Sequence, residues 1–174
     1  MNINYFKNSI REVPDFPKKG ILFYDLTTAF KDPVCLKFIF DSLVDLYKDK
    51  GITKVLGIES RGFITGAGLA ERIGAGFVPV RKHGKLPSKT LKMNYAKEYG
   101  EDIMEIHEDA ISANDVVLIH DDLLATGGTM KAAIDLAKMF HVKQIYINFL
   151  VELDFLEGRK MIEKNLEIET LLHL

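Results

Sequence analysis

A chain of 174 residues, 47% of them apolar, is the right size and composition for one globular domain with its own core. Basic residues number 23 and acidic ones 25, a formal charge of -2, which speaks against a dedicated nucleic-acid binder. One cysteine, Cys35, cannot make an internal disulfide, and no apolar run approaches the roughly 18–20 residues of a membrane helix.

The first residues lack the basic-then-apolar order of a signal peptide. The five histidines are scattered, so no zinc-type cage is visible. These features predict a soluble, cytoplasmic, single-domain protein (residues 1–174) with no nucleic-acid or membrane partner.

The first 30 residues read as irregular, punctuated by Pro14, Pro17 and Gly20. A helix then starts with Asp32 as N-cap and Pro33 as its first residue. Leu36, Ile39, Phe40, Leu43, Leu46 and Tyr47 recur at helical spacing. Lys54–Ile58 is a short buried strand, and a small-residue helix follows over Phe63–Ile73, stopped by Gly74. Phe77–Val80 is another strand. The alternation in Thr90–Tyr95 and Ile103–Ile106 predicts a hairpin. Val116–Ile119 is an apolar strand covered on both faces. An amphipathic helix spans Thr129–Phe140, a strand Ile145–Val151, and a short helix Phe155–Glu163. Nothing is assigned to Glu163–Leu174. Alternating strands and helices predict an α/β fold with a parallel sheet, whose ligands sit beyond the carboxyl ends of the strands.

One strand-to-helix turn stands out, VVLIHDDLLATGGT over residues 116–129. The strand runs out into Asp121 and Asp122. Ala125, Thr126, Gly127, Gly128 and Thr129 then open a helix. Small residues let backbone N–H groups approach an anion, and the helix start adds donors and partial positive charge. That half suits a phosphate monoester. The carboxylates suit vicinal sugar hydroxyls, which would separate them from the phosphate. A bare TGGT is equally an ordinary turn, and the segment is neither a Walker A loop nor a dinucleotide fingerprint.

With these residues in view, the segment resembles the phosphoribosyl-diphosphate (PRPP) signature of the type I phosphoribosyltransferases, in the DDLLATGGT form of members that act on adenine. Further stretches resemble the same family in the same order. They are Val13–Pro17, Gly20–Phe23, Glu59–Phe63, Arg81–Pro87, Glu98–Gly100 and Leu150–Leu153. The resemblance implies a central, mostly parallel sheet flanked by helices, with a small hood and a flexible hairpin loop. It implies transfer of a phosphoribosyl group from PRPP to adenine, giving AMP and diphosphate in purine salvage.

The site residues follow from the resemblance together with their chemistry. Glu59, Ser60 and Arg61 form a diphosphate turn, for which a cis peptide at Glu59–Ser60 is expected. Arg81, Lys82 and Lys85 are a basic turn. Alone, such a charge run would be a solvated surface. The resemblance turns it toward the diphosphate. Asp121 and Asp122 hold the ribose, and Ala125–Thr129 the 5-phosphate. Glu98 is the implied acid/base and Tyr99 its neighbour on a closing loop. Leu22, Phe23, Tyr24 and Leu123 are the implied adenine contacts. Arg61, Asp121 and Asp122 share the catalytic role with Glu98. Mg2+ is implied as cofactor, held by PRPP and water rather than by a protein cage. A homodimer is also implied. Two residues depart from the expected pattern: Tyr24 stands where an arginine is common, and His120 where an apolar residue is. The nearest rivals are another purine base, a PRPP-sensing regulator on the same fold, and a nucleotide-binding structural subunit.

Overall fold

The computed structural model describes residues 2–96 and 101–174. Its chain divides into two compact units, Met1–Asp45 and Leu46–Leu174.

The N-terminal unit is more regular than its sequence suggests. Helix α1 spans Ile3–Ser9, strands β1 (Arg11–Pro14) and β2 (Leu22–Asp25) pair antiparallel, and α2 spans Thr27–Phe30. The expectation of irregular turns fails here because strands and helices of four residues carry no readable period. Helix α3, Pro33–Tyr47, begins as expected. Asp32 Oδ1 accepts from the N–H of Val34 at 2.9 Å. Ile39, Phe40, Leu43 and Tyr47 of its stripe are buried.

The larger unit is built on a seven-stranded sheet. Its strands are β3 (Lys54–Ile58), β4 (Gly76–Lys82), β5 (Thr90–Ala96), β6 (Glu101–His107), β7 (Val116–Leu124), β8 (Gln144–Glu152) and β9 (Glu167–His173). They lie in the order β5-β6-β4-β3-β7-β8-β9. Strands β4, β3, β7, β8 and β9 run parallel, and the β5–β6 hairpin closes one edge antiparallel. Helix α4 (Gly62–Ile73) follows β3, and α5 (Gly128–Lys138) follows β7. Gly74 ends α4 in the left-handed conformation, as its sequence suggests.

Alternation along β7 explains how both faces are used. Val117 and Ile119 join Met130, Ala133, Ile134 and Ala137 of α5 in one apolar cluster with Leu56, Ile58 and Val80. His120, on the opposite face, meets α4, where a Cβ on Gly66 would lie 3.3 Å from its ring.

Three elements differ from the sequence reading. The expected strand Val116–Ile119 continues to Leu124, because Asp121, Leu123 and Leu124 still pair with Phe149, Val151 and Glu152 of β8. The expected helix near Phe155–Glu163 is two 3₁₀ turns, Asp154–Leu156 and Gly158–Met161. The unassigned C-terminus is β9, which pairs parallel to β8 from Glu167 to His173. Arg159 fixes the second 3₁₀ turn to this edge. Its guanidinium donates twice to the buried Glu152 at 2.8 Å and once to Thr170 Oγ1 at 3.1 Å.

Candidate active site

The parallel strands bring three turns to one end of the sheet: 59–61 after β3, 83–89 after β4 and 125–127 after β7. This is where a parallel α/β sheet binds ligands.

The acid pair closes β7. Asp122 is buried and Asp121 half-buried. Asp121 Oδ1 accepts from the N–H of Asp122 at 2.9 Å. Burial raises both carboxyls above the ordinary range. At Asp121 the neighbouring charge of Asp122 adds to the rise, and at Asp122 the Arg61 guanidinium opposes it. Arg61 Nε stands 2.7 Å from Asp122 Oδ2.

Arg61 reaches Asp122 because α4 starts on top of the acid strand. A Cβ on Gly62 would lie 2.9 Å from the His120 carbonyl oxygen and 3.0 Å from Asp121 Oδ1. Only glycine allows that approach. The preceding Glu59–Ser60 peptide is cis, as expected. Glu59 does not project an unpaired charge. Its carboxylate accepts from Arg81 Nε and the N–H of Lys82, both at 3.1 Å. Burial alone would raise its pKa, but Arg81 and the Lys82 N–H outweigh burial and lower it.

The basic turn is folded around Glu105. This buried carboxylate accepts from the N–H of Lys85 (3.1 Å), the N–H of Leu86 (3.2 Å) and Thr90 Oγ1 (3.3 Å), and meets His83 Nδ1 at 3.1 Å. Burial pushes its pKa up, and these partners together bring it below the usual carboxylate value. Glu105 therefore adds stability at neutral pH that is lost as the pH falls through its lowered pKa. Glu105→Gln replaces two acceptor lone pairs by an N–H2 facing donors. The expected cost is about 1.5–3 kcal/mol, read as a lower Tm at pH 7, with a difference that narrows below about pH 4. An equal Tm at pH 7 would remove Glu105 as the organiser of this turn.

The turn after β3, the ends of β4 and β7 and the start of α5 border a cavity of ≈ 300 Å³. Of the residues singled out in the sequence, Glu59, Ser60, Arg61, Lys82, Asp121, Asp122, Leu123 and Thr129 line it. Tyr95 and Met104 also line it, and sequence reasoning missed both. Their alternation in the hairpin placed them in strands, but only the β4–β6 pairing, with Lys82 opposite Met104, turns that hairpin to the site. A second cavity, ≈ 80 Å³, shares Asp121, Leu123 and Thr129 and adds Ala125, Thr126 and Gly127. Arg81 and Lys85 are not among the residues lining either cavity. Arg81 instead braces the turn, donating to Glu59 and to the Lys85 carbonyl at 3.1 Å.

Gly127 caps α5 at φ 84°, and its carbonyl accepts from the N–H of Lys131 at 2.9 Å. The smaller cavity thus lies at a helix start, beside the larger one that holds the acid pair. A helix start, which suits an anion, and the two carboxylates share walls. Leu22, Phe23 and Tyr24 lie in β2 of the N-terminal unit, where the Phe23 ring packs edge-on against Phe16 at 5.1 Å. Glu98 and Tyr99 fall outside the described residues.

Comparison with known proteins agrees with this geometry. The phosphoribosyl transferase domain family matches residues 36–168. The chain is 60% identical to an adenine phosphoribosyltransferase of Bacteroides fragilis over 161 residues, covering 92% of this chain and 90% of that one. It is 58% identical to one from Phocaeicola vulgatus over the full length of both. Among solved structures it resembles adenine phosphoribosyltransferase from Rhodothermus marinus, with TM-score 0.94, 47% identity and coverage of 99% and 98%. It also resembles the Giardia lamblia enzyme complexed with 9-deazaadenine, with TM-score 0.95, 42% identity and coverage of 100% and 98%.

Proposed function

The chain belongs to the phosphoribosyl transferase family, and we propose that it transfers the 5-phosphoribosyl group of PRPP to adenine, releasing AMP and diphosphate in purine salvage. The observation that carries this reading is the shared wall between the acid-pair cavity and the glycine-loop cavity. Identities of 58–60% to adenine phosphoribosyltransferases support the choice of base.

Each residue then has a task. Backbone N–H groups and hydroxyls of Ala125–Thr129 hold the 5-phosphate. Asp121 and Asp122 accept from the ribose hydroxyls, and their charge favours the cationic sugar formed as the glycosidic bond to diphosphate breaks. Arg61 and Lys82 take the charge that builds on the leaving group, while Ser60 and the Glu59–Arg81 pair hold the turn. Lys85 adds positive charge near that turn. Leu123, on the wall that the two cavities share, contacts adenine. Glu98 serves as acid/base toward the purine, and Tyr99 accompanies it. Holding two substrates in register supplies much of the acceleration.

The donor set fits a magnesium ion that arrives with PRPP. Glu59 is engaged by Arg81 and Lys82, and Asp122 by Arg61, so among the described residues the cavity offers no ready cage of free carboxylates. When bound, Mg2+ supplies charge neutralisation on the diphosphate. We place the protein in the cytoplasm as a homodimer, and read its 174 residues as one catalytic domain.

The test is diphosphate release from PRPP with adenine, hypoxanthine, guanine or xanthine, each with and without Mg2+. Turnover is expected with adenine and Mg2+. Preference for another base would overturn the adenine assignment, and absence of turnover with every base would overturn the transferase reading.

A further inference from the structure

His120 lies directly before the acid pair and is fully buried. It is flanked on two sides by polar side chains from other elements. Thr65 Oγ1 of α4 stands 2.7 Å from Nε2, and Asn148 Oδ1 of β8 stands 2.8 Å from Nδ1. Asn148 is also the direct partner of His120 across the β7–β8 ladder.

The protonation state follows from the chain of bonds. Asn148 Nδ2 donates to the carbonyl of Glu169 in β9 at 3.1 Å. Its Oδ1 therefore faces His120 and accepts, so Nδ1 carries the proton. Nε2 is then bare and accepts from the Thr65 hydroxyl. With Nδ1 donating to Asn148 and the Thr65 hydroxyl donating to Nε2, every group in the row is satisfied by a neutral imidazole. Burial points the same way, lowering the His120 pKa to about 4.

The row runs from β9 through β8 and β7 into the first turn of α4. That turn begins with Gly62, where an added Cβ would lie 2.9 Å from the His120 carbonyl oxygen and 3.0 Å from Asp121 Oδ1. We propose that His120 is a positioning residue, a neutral clamp that sets the distance between the Asp121–Asp122 carboxylates and the Ser60–Arg61 turn, and so the span available to PRPP. An apolar residue would fill the same volume, but it would not fix which way α4 is seated on the strand. This inference rests on the phosphoribosyl-transfer reading.

The test uses Thr65→Val, which removes one hydroxyl at nearly constant volume, His120→Leu, which removes both bonds, and Thr65→Ser, which keeps the hydroxyl. Thr65→Val is expected to raise the KM for PRPP about tenfold while the KM for adenine stays within about twofold, and His120→Leu to raise the former further. Thr65→Ser should track the wild type. An unchanged KM for PRPP in folded Thr65→Val would overturn the clamp. So would a loss that falls equally on both substrates in proportion to unfolded protein. Histidine 15N shifts give a readout free of turnover. They should show Nδ1 protonated and Nε2 bare near pH 7, and a doubly protonated His120 there would overturn the clamp even if the wild type consumed no PRPP. Failure of the wild type to turn over with the shifts as expected would count against the transferase reading alone.

Discussion

Replacing Asp121 and Asp122 together by asparagine is expected to lower kcat/KM for PRPP by at least about 10³-fold, the scale of losing an electrostatic partner of the transition state. The shape of the site should survive, since asparagine is isosteric and its Oδ1 can still accept from the N–H of residue 122, as Asp121 does now. What disappears is the negative charge beneath a sugar that becomes cationic. At Asp121 the loss of charge should act oppositely on stability. The Asp121 carboxyl is raised by burial and by Asp122, so between the unfolded and folded values the folded state holds a proton that the unfolded chain has released, and above them it carries a charge that burial opposes. Stability then falls as pH rises from the unfolded value, about 3.9, through the raised folded value. Asp121→Asn alone removes this penalty. Its Tm should exceed the wild type at pH 7, by about 2–4 °C for each 1 kcal/mol recovered, and match it near pH 3.5. Activity within about tenfold of wild type in the double variant would remove the acid pair from the mechanism.

Gly127→Ala should combine backbone strain and a steric clash in a single methyl group. Residue 127 sits at φ 84°, where a side chain costs about 1–2 kcal/mol. The added Cβ would also lie 2.4 Å from the carbonyl oxygen of Gly158 and 3.0 Å from the Cβ of Met161. The first obstacle is backbone and cannot rotate away, so overpacking adds about 1–3 kcal/mol. A Tm lower by roughly 5–20 °C is expected. Movement of the loop also displaces the donors of the small cavity, and the KM for PRPP should rise about 100-fold while that for adenine changes little. Wild-type values for both Tm and the KM for PRPP would show that the loop accommodates the methyl group and does not hold the 5-phosphate.

Much of this site was legible in the sequence because local chemistry defines it. Residues 116–129 announce a strand, an acid pair and an anion loop in fourteen consecutive positions, and the small-residue start of α4 follows directly on β3. What stayed hidden depends on partners far apart in the chain. Arg81 reads as a free cation, but Glu59, 22 residues earlier, takes its guanidinium. Glu105 reads as one more charge in an alternating strand, yet pairing of β4 with β6 buries it under the basic turn. Tyr95 and Met104 needed the same pairing to reach the cavity. His120 reads as a packed or hydrogen-bonded side chain without a catalytic role, but its partners Thr65 and Asn148 lie 55 and 28 residues away. In the N-terminal unit, elements of four residues leave no periodicity to read.

The strand order has a consequence for the chain as it is being made. Strand β7 has β3 on one side, synthesised about 60 residues earlier, and β8 on the other, which follows only after α5. Between those moments one edge of an apolar strand lies bare, with its amide and carbonyl groups unpaired, a template for another chain. Asp121 and Asp122 stand on that strand. Until β8 arrives, their charges would repel a second copy of the same strand. Acidic side chains at the end of an apolar strand are of the kind that discourages pairing with another chain.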